Sequence, residues 1–246
     1  MRLAIVSDIH GNLPALEAVV ANINAAKPDL VINLGDCVSG PLWPKETLQL
    51  LHSLNWPTIR GNCDRAVGEI AREKLGASDG YAYDQLTESE RKWLRDLPKT
   101  HAVSEHIFAC HGTPDDDDTY LLEKIDGNTL RVPMPEAILH KLGGQTAPLV
   151  LCGHSHIPHF VQVTEGRFVL NAGSVGLPAY SAQDQAGHFY YAQSGSPHAK
   201  YVLVTARSSG FDVEHRNISY NWHAAAEKAR GRQRQDWVQG LTTGVM

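Results

Sequence analysis

What most limits the fold of this chain lies in its first 36 residues, where two short apolar runs each end in an aspartate. They are LAIVSD, residues 3 to 8, and LVINLGD, residues 30 to 36. Between them, Asn12-Leu13-Pro14 reads as a helix N-cap with proline in the first turn. Leu13, Leu16, Val20 and Ile23 follow at helical spacing, and Pro28-Asp29 ends the helix. The unit is β-α-β. Such a unit closes right-handed and leaves both strand C-termini on one edge of a parallel sheet, where α/β proteins build their sites. Asp8 and Asp36 are therefore predicted to be neighbours.

Further along, the pattern predicts a helix over 45–54, a short strand over 57–59 ending in RGNCD, and helices over 65–75 and 88–97, the last opened by a Thr87/Glu90 capping box. From His101 the chain turns to short apolar runs at 107–110, 149–152, 160–163, 168–170, 189–191, 201–205 and 211–214, read as strands of a second sheet. One helix, 135–142, interrupts them and stops at Gly143-Gly144. The tail over 221–241 reads as a terminal helix carrying Lys228, Arg230, Arg232 and Arg234. No repeat or shift of composition marks a boundary, and 246 residues suit one core. The expectation is one domain over 1–246 with a helical insert at about 65–100, a loop and helix insert at about 113–145 and the C-terminal helix at about 221–241.

Five places put a side chain able to hold a metal just after an apolar run: Asp8 with His10, Asp36, Asn62, His111, and His154 with His156. Glycine stands beside nearly all of them, in Gly35-Asp36, Gly61-Asn62, His111-Gly112 and Gly153-His154, and allows tight turns and close backbone approach. The set is two carboxylates, four imidazoles and one amide, with no thiolate. A first-row divalent ion takes about four to six ligands, so seven suit two ions that share a carboxylate. The nitrogen and oxygen mixture favours manganese, iron, cobalt, nickel or zinc over calcium. Two such ions beside two aspartates make a positive pocket that attracts phosphate and acidifies water, the chemistry of phosphoester hydrolysis.

The motifs SDIHGN, NLGD, RGNCD, CHGT, CGHSH and NAGSVG, in that order from residue 7 to about 176, resemble those of the calcineurin-like metallophosphoesterases. The likeness is greatest to the small bacterial and archaeal phosphodiesterase branch. It implies an α/β (α+β) fold, a four-layer α-β-β-α sandwich with two central mixed sheets and the metal site at strand C-terminal ends. It also implies Asp8, His10 and His156 on a first ion, Asn62, His111 and His154 on a second, and Asp36 bridging them. The implied activity is hydrolysis of phosphate esters, a phosphodiesterase first, by in-line attack of a metal-bridging hydroxide. Manganese is the first expectation for the ions, with iron, zinc, cobalt and nickel as alternatives. Asp36, Asn62, His111 and Cys63 are the expected catalytic positions. Asn12 and Asn171, inside matching motifs, are expected to contact phosphate oxygens. The alternatives are a hydrolase of nucleotide polyphosphates such as diadenosine tetraphosphate, a phosphomonoesterase, and a non-catalytic scaffold of the same fold. Retention of all seven ligands favours an enzyme.

Two departures from the family pattern matter. Catalytic branches read G-N-H before the acidic residue, where the histidine protonates the leaving group or holds phosphate; here Cys63 stands there. A thiol is an inferior proton donor at neutral pH. Leu177-Pro178-Ala179 also replaces a segment in which related proteins often carry arginine.

Other features exclude or stay silent. Lys plus Arg of 22 against Asp plus Glu of 27 gives a net charge of −5, which lacks the basic field that nucleic-acid binding needs. No apolar stretch approaches the ~20 residues of a membrane span, and Leu3 to Val6 fall short of the apolar core of a secretory signal, about 7 residues or more. The expected setting is the cytoplasm, with reduced thiols, since Cys37, Cys63, Cys110 and Cys152 are far apart and never in a C-x-x-C spacing. Cys37, Cys110 and Cys152 read as small core residues. The expected partner is a small phosphorylated substrate, with a homo-oligomer left open. Asp115 to Asp118 read as a solvated loop without a ligand role. The inserts around 65–100 and 113–135 are expected to wall the substrate pocket.

Overall fold

The computed structural model describes all 246 residues. It begins with the expected β-α-β unit: β1 (Arg2–Val6), α1 (Leu13–Ala26) and β2 (Leu30–Asn33), with β1 and β2 parallel neighbours. Asn12 caps α1, its Oδ1 accepting from the Ala15 amide at 3.3 Å, and left-handed Lys27 ends it. Ala15, Leu16, Val19 and Ile23 form the buried stripe. Four helices follow, α2 (Pro44–Leu54), α3 (Asn62–Glu69), α4 (Ala77–Gln85) and α5 (Glu88–Asp96). The predicted box opens α5, with the Glu90 amide donating to Thr87 Oγ1 and the Thr87 amide to Glu90 Oε2.

Next come β3 (Thr100–Ser104), β4 (Ile107–Cys110), β5 (Lys124–Asp126), β6 (Thr129–Arg131), α6 (Pro135–Leu142), β7 (Leu149–Cys152), β8 (His159–Thr164) and β9 (Arg167–Asn171). The chain finishes with β10 (Ala179–Gln183), β11 (Phe189–Gln193), β12 (Ala199–Arg207), β13 (Gly210–Ile218), α7 (Trp222–Arg230) and α8 (Gln235–Thr243). Two central sheets have the orders β13-β12-β1-β2 and β3-β4-β7-β9-β8, and a smaller third sheet runs β10-β11-β6-β5.

Strand periodicity explains the layering. Leu3 and Ile5 of β1, Ile32 of β2 and Val202 and Val204 of β12 meet Ile107, Ala109, Leu149, Leu151 and Leu170 of the second sheet in one core. The alternate residues face outward. Ala4, Val6, Tyr201 and Leu203 lie under α1 and the helices α2 to α5, while Cys110, Val150, Cys152 and Val169 lie under Ile138 and Leu142 of α6. Helix, sheet, sheet and helix thus stack in four layers, as expected.

Several local expectations are corrected. The runs 201–205 and 211–214 belong to the first sheet, because β12 pairs antiparallel with the edge of β1 that β2 leaves open. The run 189–191 enters the third sheet, and 57–59 makes only one bridge, Asn33 with Thr58. The helix expected over 65–75 starts at Asn62 and ends at Glu69, and a 3₁₀ turn follows at Arg72–Lys74. Helix α4 was not foreseen; only its Gly80 and Ala82 are buried, so it carries no apolar stripe to read. The single tail helix expected over 221–241 is divided at Gly231 and left-handed Gln233 (φ 60°). No helix is long and apolar enough to cross a membrane.

Leu151 has no exposed surface in the inter-sheet core. Leu151→Ala should lower unfolding free energy by about 2 to 5 kcal/mol, the usual cost of such a cavity. Urea denaturation checks this, and a loss below ~1 kcal/mol would show that the two sheets are not tightly packed there.

Candidate metal centre

The parallel pairs β1 with β2 and β4 with β7 point their C-terminal ends to one edge of the molecule. Asp8, Asp36, His111, His154 and His156 come just after those ends, and Asn62 is the first residue of α3. The loops after β1 and β2 are zipped by backbone bonds, the Asp8 amide to Gly35 O and the His10 amide to Asp36 O, both at 2.9 Å. Five of the seven predicted ligands have left-handed backbone: Asp8 (φ 55°), His10 (51°), Asp36 (55°), His154 (68°) and His156 (63°). For residues other than glycine this costs of order 1 kcal/mol or more each, and such strain collects at functional sites. Two glycines are required by contact: a Cβ on Gly61 would lie 2.1 Å from Asp36 Oδ1, and one on Gly153 2.0 Å from Ser7 Oγ.

Three of the four imidazoles are held through Nδ1. His10 Nδ1 faces Ser39 O at 2.9 Å, His111 Nδ1 faces Leu34 O at 2.7 Å and His156 Nδ1 faces Leu177 O at 2.6 Å. A carbonyl only accepts, so each Nδ1 donates and each Nε2 faces the site, as a lone pair when a metal displaces the ring's second proton. Those nitrogens converge: His10 Nε2 is 3.0 Å from His156 Nε2, and His111 Nε2 is 3.2 Å from Asn62 Oδ1. His154 is arranged the other way, Nε2 facing Asp118 O at 3.1 Å, which leaves Nδ1 free.

The carboxylates complete the arrangement. Asp8 Oδ2 accepts from the His154 amide at 3.1 Å, whereas its fully buried Oδ1 has no hydrogen-bond partner and faces Nε2 of His156, His10 and His111 at 3.3, 3.9 and 3.9 Å. Asp36 Oδ1 accepts from the Cys63 amide at 2.9 Å, and Oδ2 lies 3.5 Å from His111 Nε2 and 3.8 Å from His10 Nε2. Lone pairs facing lone pairs at these distances repel unless a cation lies among them. Ligands about 2.1 Å from one ion are necessarily ~3 Å or a little more apart, so the donor set fits transition-metal ions. Three groups bring their donor atoms within 4.8 Å of one another: Asp8-His10-His156, Asp36-His111-His154 and, with a thiol, His10-Asp36-Cys63.

The electrostatics agree. Burial alone would neutralise Asp8 and Asp36, but the surrounding imidazoles hold both below the usual carboxylate range. Burial also opposes charge on His111, yet Asp36 and Asp8 raise it to about 10. Burial, with the His111 charge, lowers His154 to about 4. The two carboxylates thus draw positive charge into the site. Behind them, buried Asp64 accepts from the amides of Asp36 (2.8 Å), Cys37 (2.9 Å) and Gly61 (3.0 Å). Burial and the Asp36 charge push it up to about 7 against the Gly61 and Cys37 amides.

Not every predicted site residue reaches the centre. Asn12 is fully buried: Oδ1 caps α1 while Nδ2 donates to Gly176 O at 2.8 Å and Tyr220 OH at 3.1 Å. Asn171 is fully buried too, Nδ2 donating to Gly153 O and Ser155 Oγ and Oδ1 accepting from the Gly173 amide. Neither has an atom to offer phosphate, and the expected substrate contacts are corrected to loop anchors. Cys63 does line the cavity, its thiol close enough to His10 and Asp36 to count among ligand groups. Burial and the Asp36 charge raise that thiol well above its ordinary value. The acidic loop is less solvated than expected, since Asp118 Oδ1 accepts from Asn62 Nδ2 at 3.1 Å and Asp117 chelates Arg65.

The centre opens into a cavity of about 930 Å³. Ser78 and Asp79 from one insert and Asp118 to Tyr120 from the other line it, as expected. The third sheet and the tail, which no motif announced, supply Tyr180, Tyr190, Arg234 and Trp237. Tyr120 stacks on His154, ring centres 4.6 Å apart, Tyr180 meets His156 edge-on at 4.6 Å and Trp237 meets His10 at 6.1 Å.

Comparison with known proteins agrees with this arrangement. The model of the calcineurin-like phosphoesterase superfamily domain matches residues 1–193. An uncharacterized protein of Methanocaldococcus jannaschii is 24% identical, the match covering 96% of this chain and 95% of that one. A crystal structure of a metallophosphoesterase from Sphaerobacter thermophilus shares 24% identity and superposes over all of both chains with a TM-score of 0.74. A hypothetical protein from Pyrococcus horikoshii, 21% identical, gives 0.78 over 99% of this chain and 98% of that one. The shared fold extends through the tail beyond residue 193.

Asp64→Asn puts an NH2 against backbone amides that need an acceptor. It should cost about 1 to 3 kcal/mol in stability and loosen the Asp36 turn. Chemical denaturation and metal titration of the variant check both effects; unchanged stability would mean Asp64 is not the anchor of that turn.

Proposed function

The chain belongs to the calcineurin-like phosphoesterase superfamily and is a metal-dependent phosphoester hydrolase; from that premise we propose that it uses two divalent ions and acts on phosphodiesters. Asp8 Oδ1 carries the reading, a buried carboxylate oxygen without a donor and facing three imidazole nitrogens. Asp8, His10 and His156 would hold one ion, Asn62, His111 and His154 the other, and Asp36 Oδ2, flanked by His10 and His111, would serve both. When bound, such ions neutralise phosphate charge and acidify a water at neutral pH. Manganese is the first expectation, with iron, zinc, cobalt or nickel as alternatives, because the donors are imidazole, amide and carboxylate.

The chain's own part is to position and to exclude. Three Nδ1 to carbonyl bonds fix the imidazoles before substrate arrives, so little reorganisation is needed. The cavity of about 930 Å³ is far larger than one phosphate needs and leaves room for organic groups on both sides of a diester. Phosphodiester hydrolysis therefore suits it better than phosphate release from a small monoester. The free, buried thiols of Cys37, Cys110 and Cys152 and the lack of a membrane-crossing helix are consistent with work in the cytoplasm.

Manganese at 100 times its dissociation constant should stabilise the protein by about 2.7 kcal/mol per independent site, and a chelator should remove the gain. Bis(p-nitrophenyl) phosphate should be hydrolysed only with metal, and Asp36→Asn should lose at least ~100-fold in turnover. Anomalous scattering from metal-soaked crystals should give two peaks; one peak at saturation would overturn the two-ion reading.

Cys63 generates a second test. A positioned general acid contributes about 10² to 10⁴ in rate, and this thiol is held protonated but poorly acidic. Hydrolysis should therefore slow steeply as the leaving group becomes more basic. Cys63→His should speed alkyl esters selectively and flatten that dependence, measured as kcat/KM across substituted phosphodiesters with metal content counted. A shallow dependence in the unaltered protein would show that another residue supplies the proton.

A further inference from the structure

The cavity wall carries two basic side chains besides its histidines, Lys141 and Arg234. Lys141 is already engaged, its ammonium donating to the carbonyls of Tyr120 at 2.6 Å and Glu123 at 2.8 Å. Arg234 is held differently. It lies at the bend between α7 and α8, with Nε and Nη2 on the two oxygens of Asp236 at 3.0 and 2.6 Å and Nη1 on Ser78 Oγ at 2.8 Å. These bonds use three of the five N–H groups of a guanidinium, so two stay available. Its Cζ is 5.7 Å from the Trp237 ring, which in turn lies 6.1 Å from the ring of His10, so the fork stands one aromatic side chain away from a metal ligand.

The rest of the wall makes this cation conspicuous. The charged neighbours lining the cavity are Asp36, Asp79, Asp118, Glu123, Asp184 and Asp236. A tether between α4 and α8 would need neither a full charge nor spare donors, and an ion pair as exposed as Arg234 with Asp236 adds little stability. A planar fork with fixed orientation and free N–H groups is the arrangement that recognises phosphate oxygens. The metal centre itself is served by the scissile phosphate. Arg234 lies outside residues 1–193, which match the superfamily domain.

We propose that Arg234 binds a second phosphate of the substrate, one that is not cleaved, and thereby selects phosphodiesters that carry an additional phosphate. The inference rests on the hydrolase reading above and names its substrate class. In the complex, the spare N–H groups of Arg234 donate to the second phosphate while Ser78 and Asp236 keep the guanidinium plane in place. The aromatic wall of Tyr180, Tyr190 and Trp237 accommodates the organic part between the two phosphates.

The test uses the full, manganese-loaded protein and two p-nitrophenyl esters that differ in one group: p-nitrophenyl thymidine 5′-phosphate, and the same compound with a 3′-phosphate. The scissile bond and leaving group are identical. Unaltered protein should favour the doubly phosphorylated ester through a lower KM, and Arg234→Gln should collapse the kcat/KM ratio of the two by about tenfold or more, the size of a lost charge-assisted hydrogen bond. Arg234→Lys should fall between. Asp236→Asn, which leaves an acceptor oxygen on the fork but removes the negative charge competing with phosphate, should raise the ratio. A ratio that Arg234→Gln and Asp236→Asn both leave unchanged, with metal content intact, makes Arg234 a tether and overturns the proposal. A structural defect would slow both esters alike and lower the melting temperature. Should the unaltered protein cleave neither ester, the hydrolase reading of this substrate class fails separately. Calorimetric binding of adenosine triphosphate against adenosine monophosphate then decides on Arg234 alone, a loss in Arg234→Gln confined to the triphosphate supporting it and an equal effect on both refuting it.

Discussion

Two aspartates, Asp8 and Asp36, are kept as anions although almost wholly buried, and the rest of the structure is arranged around that cost. Burying an isolated carboxylate is prohibitive without opposite charge or donors. One oxygen of each is satisfied by a backbone amide, from His154 and Cys63. The other oxygen of each is aimed at imidazoles whose outward nitrogens are fixed on carbonyls. The positive charge this pocket attracts, whether proton or metal, is therefore specified by groups that cannot reorient without breaking bonds to the loop carbonyls of Leu34, Ser39 and Leu177. Left-handed backbone at five of these residues is the conformational part of the same cost, and the zipped loops after β1 and β2 hold it.

Much of this could be read from the chain because the signals are local and repeated. An apolar run followed by glycine and a polar ligand says both that a strand ends and that a turn brings its last residue to the edge. The sandwich follows once β1 and β2 are seen to be apolar on both faces. What escaped has a physical reason. The partner of β1 lies two hundred residues away, and nothing in an apolar run such as YVLVT, residues 201–205, states which sheet it joins. Helix α4 has almost no buried side chain, and the bend at Gly231 to Arg234 depends on one left-handed glutamine. Asn12 and Asn171 misled in another way. Both stand in the motifs, yet an amide next to a turn can satisfy backbone groups as readily as it can hold phosphate, and only burial distinguishes the two.

The centre and its cavity have different origins in the chain. Strand ends supply the predicted ligands, so their geometry is tied to the inter-sheet core, and the fold that positions them is shared with structures of 21 and 24% identity. The walls come from segments that the core does not dictate: the acidic loop that holds Asn62 and His154 through Asp118, the small third sheet and the divided tail helix. Chemistry and selectivity are thereby carried by parts of the fold that can change independently. Trp237 is the exception, since it sits in the tail yet packs against His10 and the backbone at Gly40.

The pairing of Arg2 with Thr205 also imposes an order on assembly. During synthesis β1 emerges first, and one of its two edges has no partner until β12 has left the ribosome. The strand that places Asp8 must wait, half-paired, while both inserts and the whole second sheet are made. Closing so long a loop is slow, and an open apolar strand is exposed to wrong partners meanwhile. The centre is thus among the last features a newborn chain completes, and a ribosome that stalls just short of residue 199 leaves all seven ligands made but the sheet beneath them unfinished.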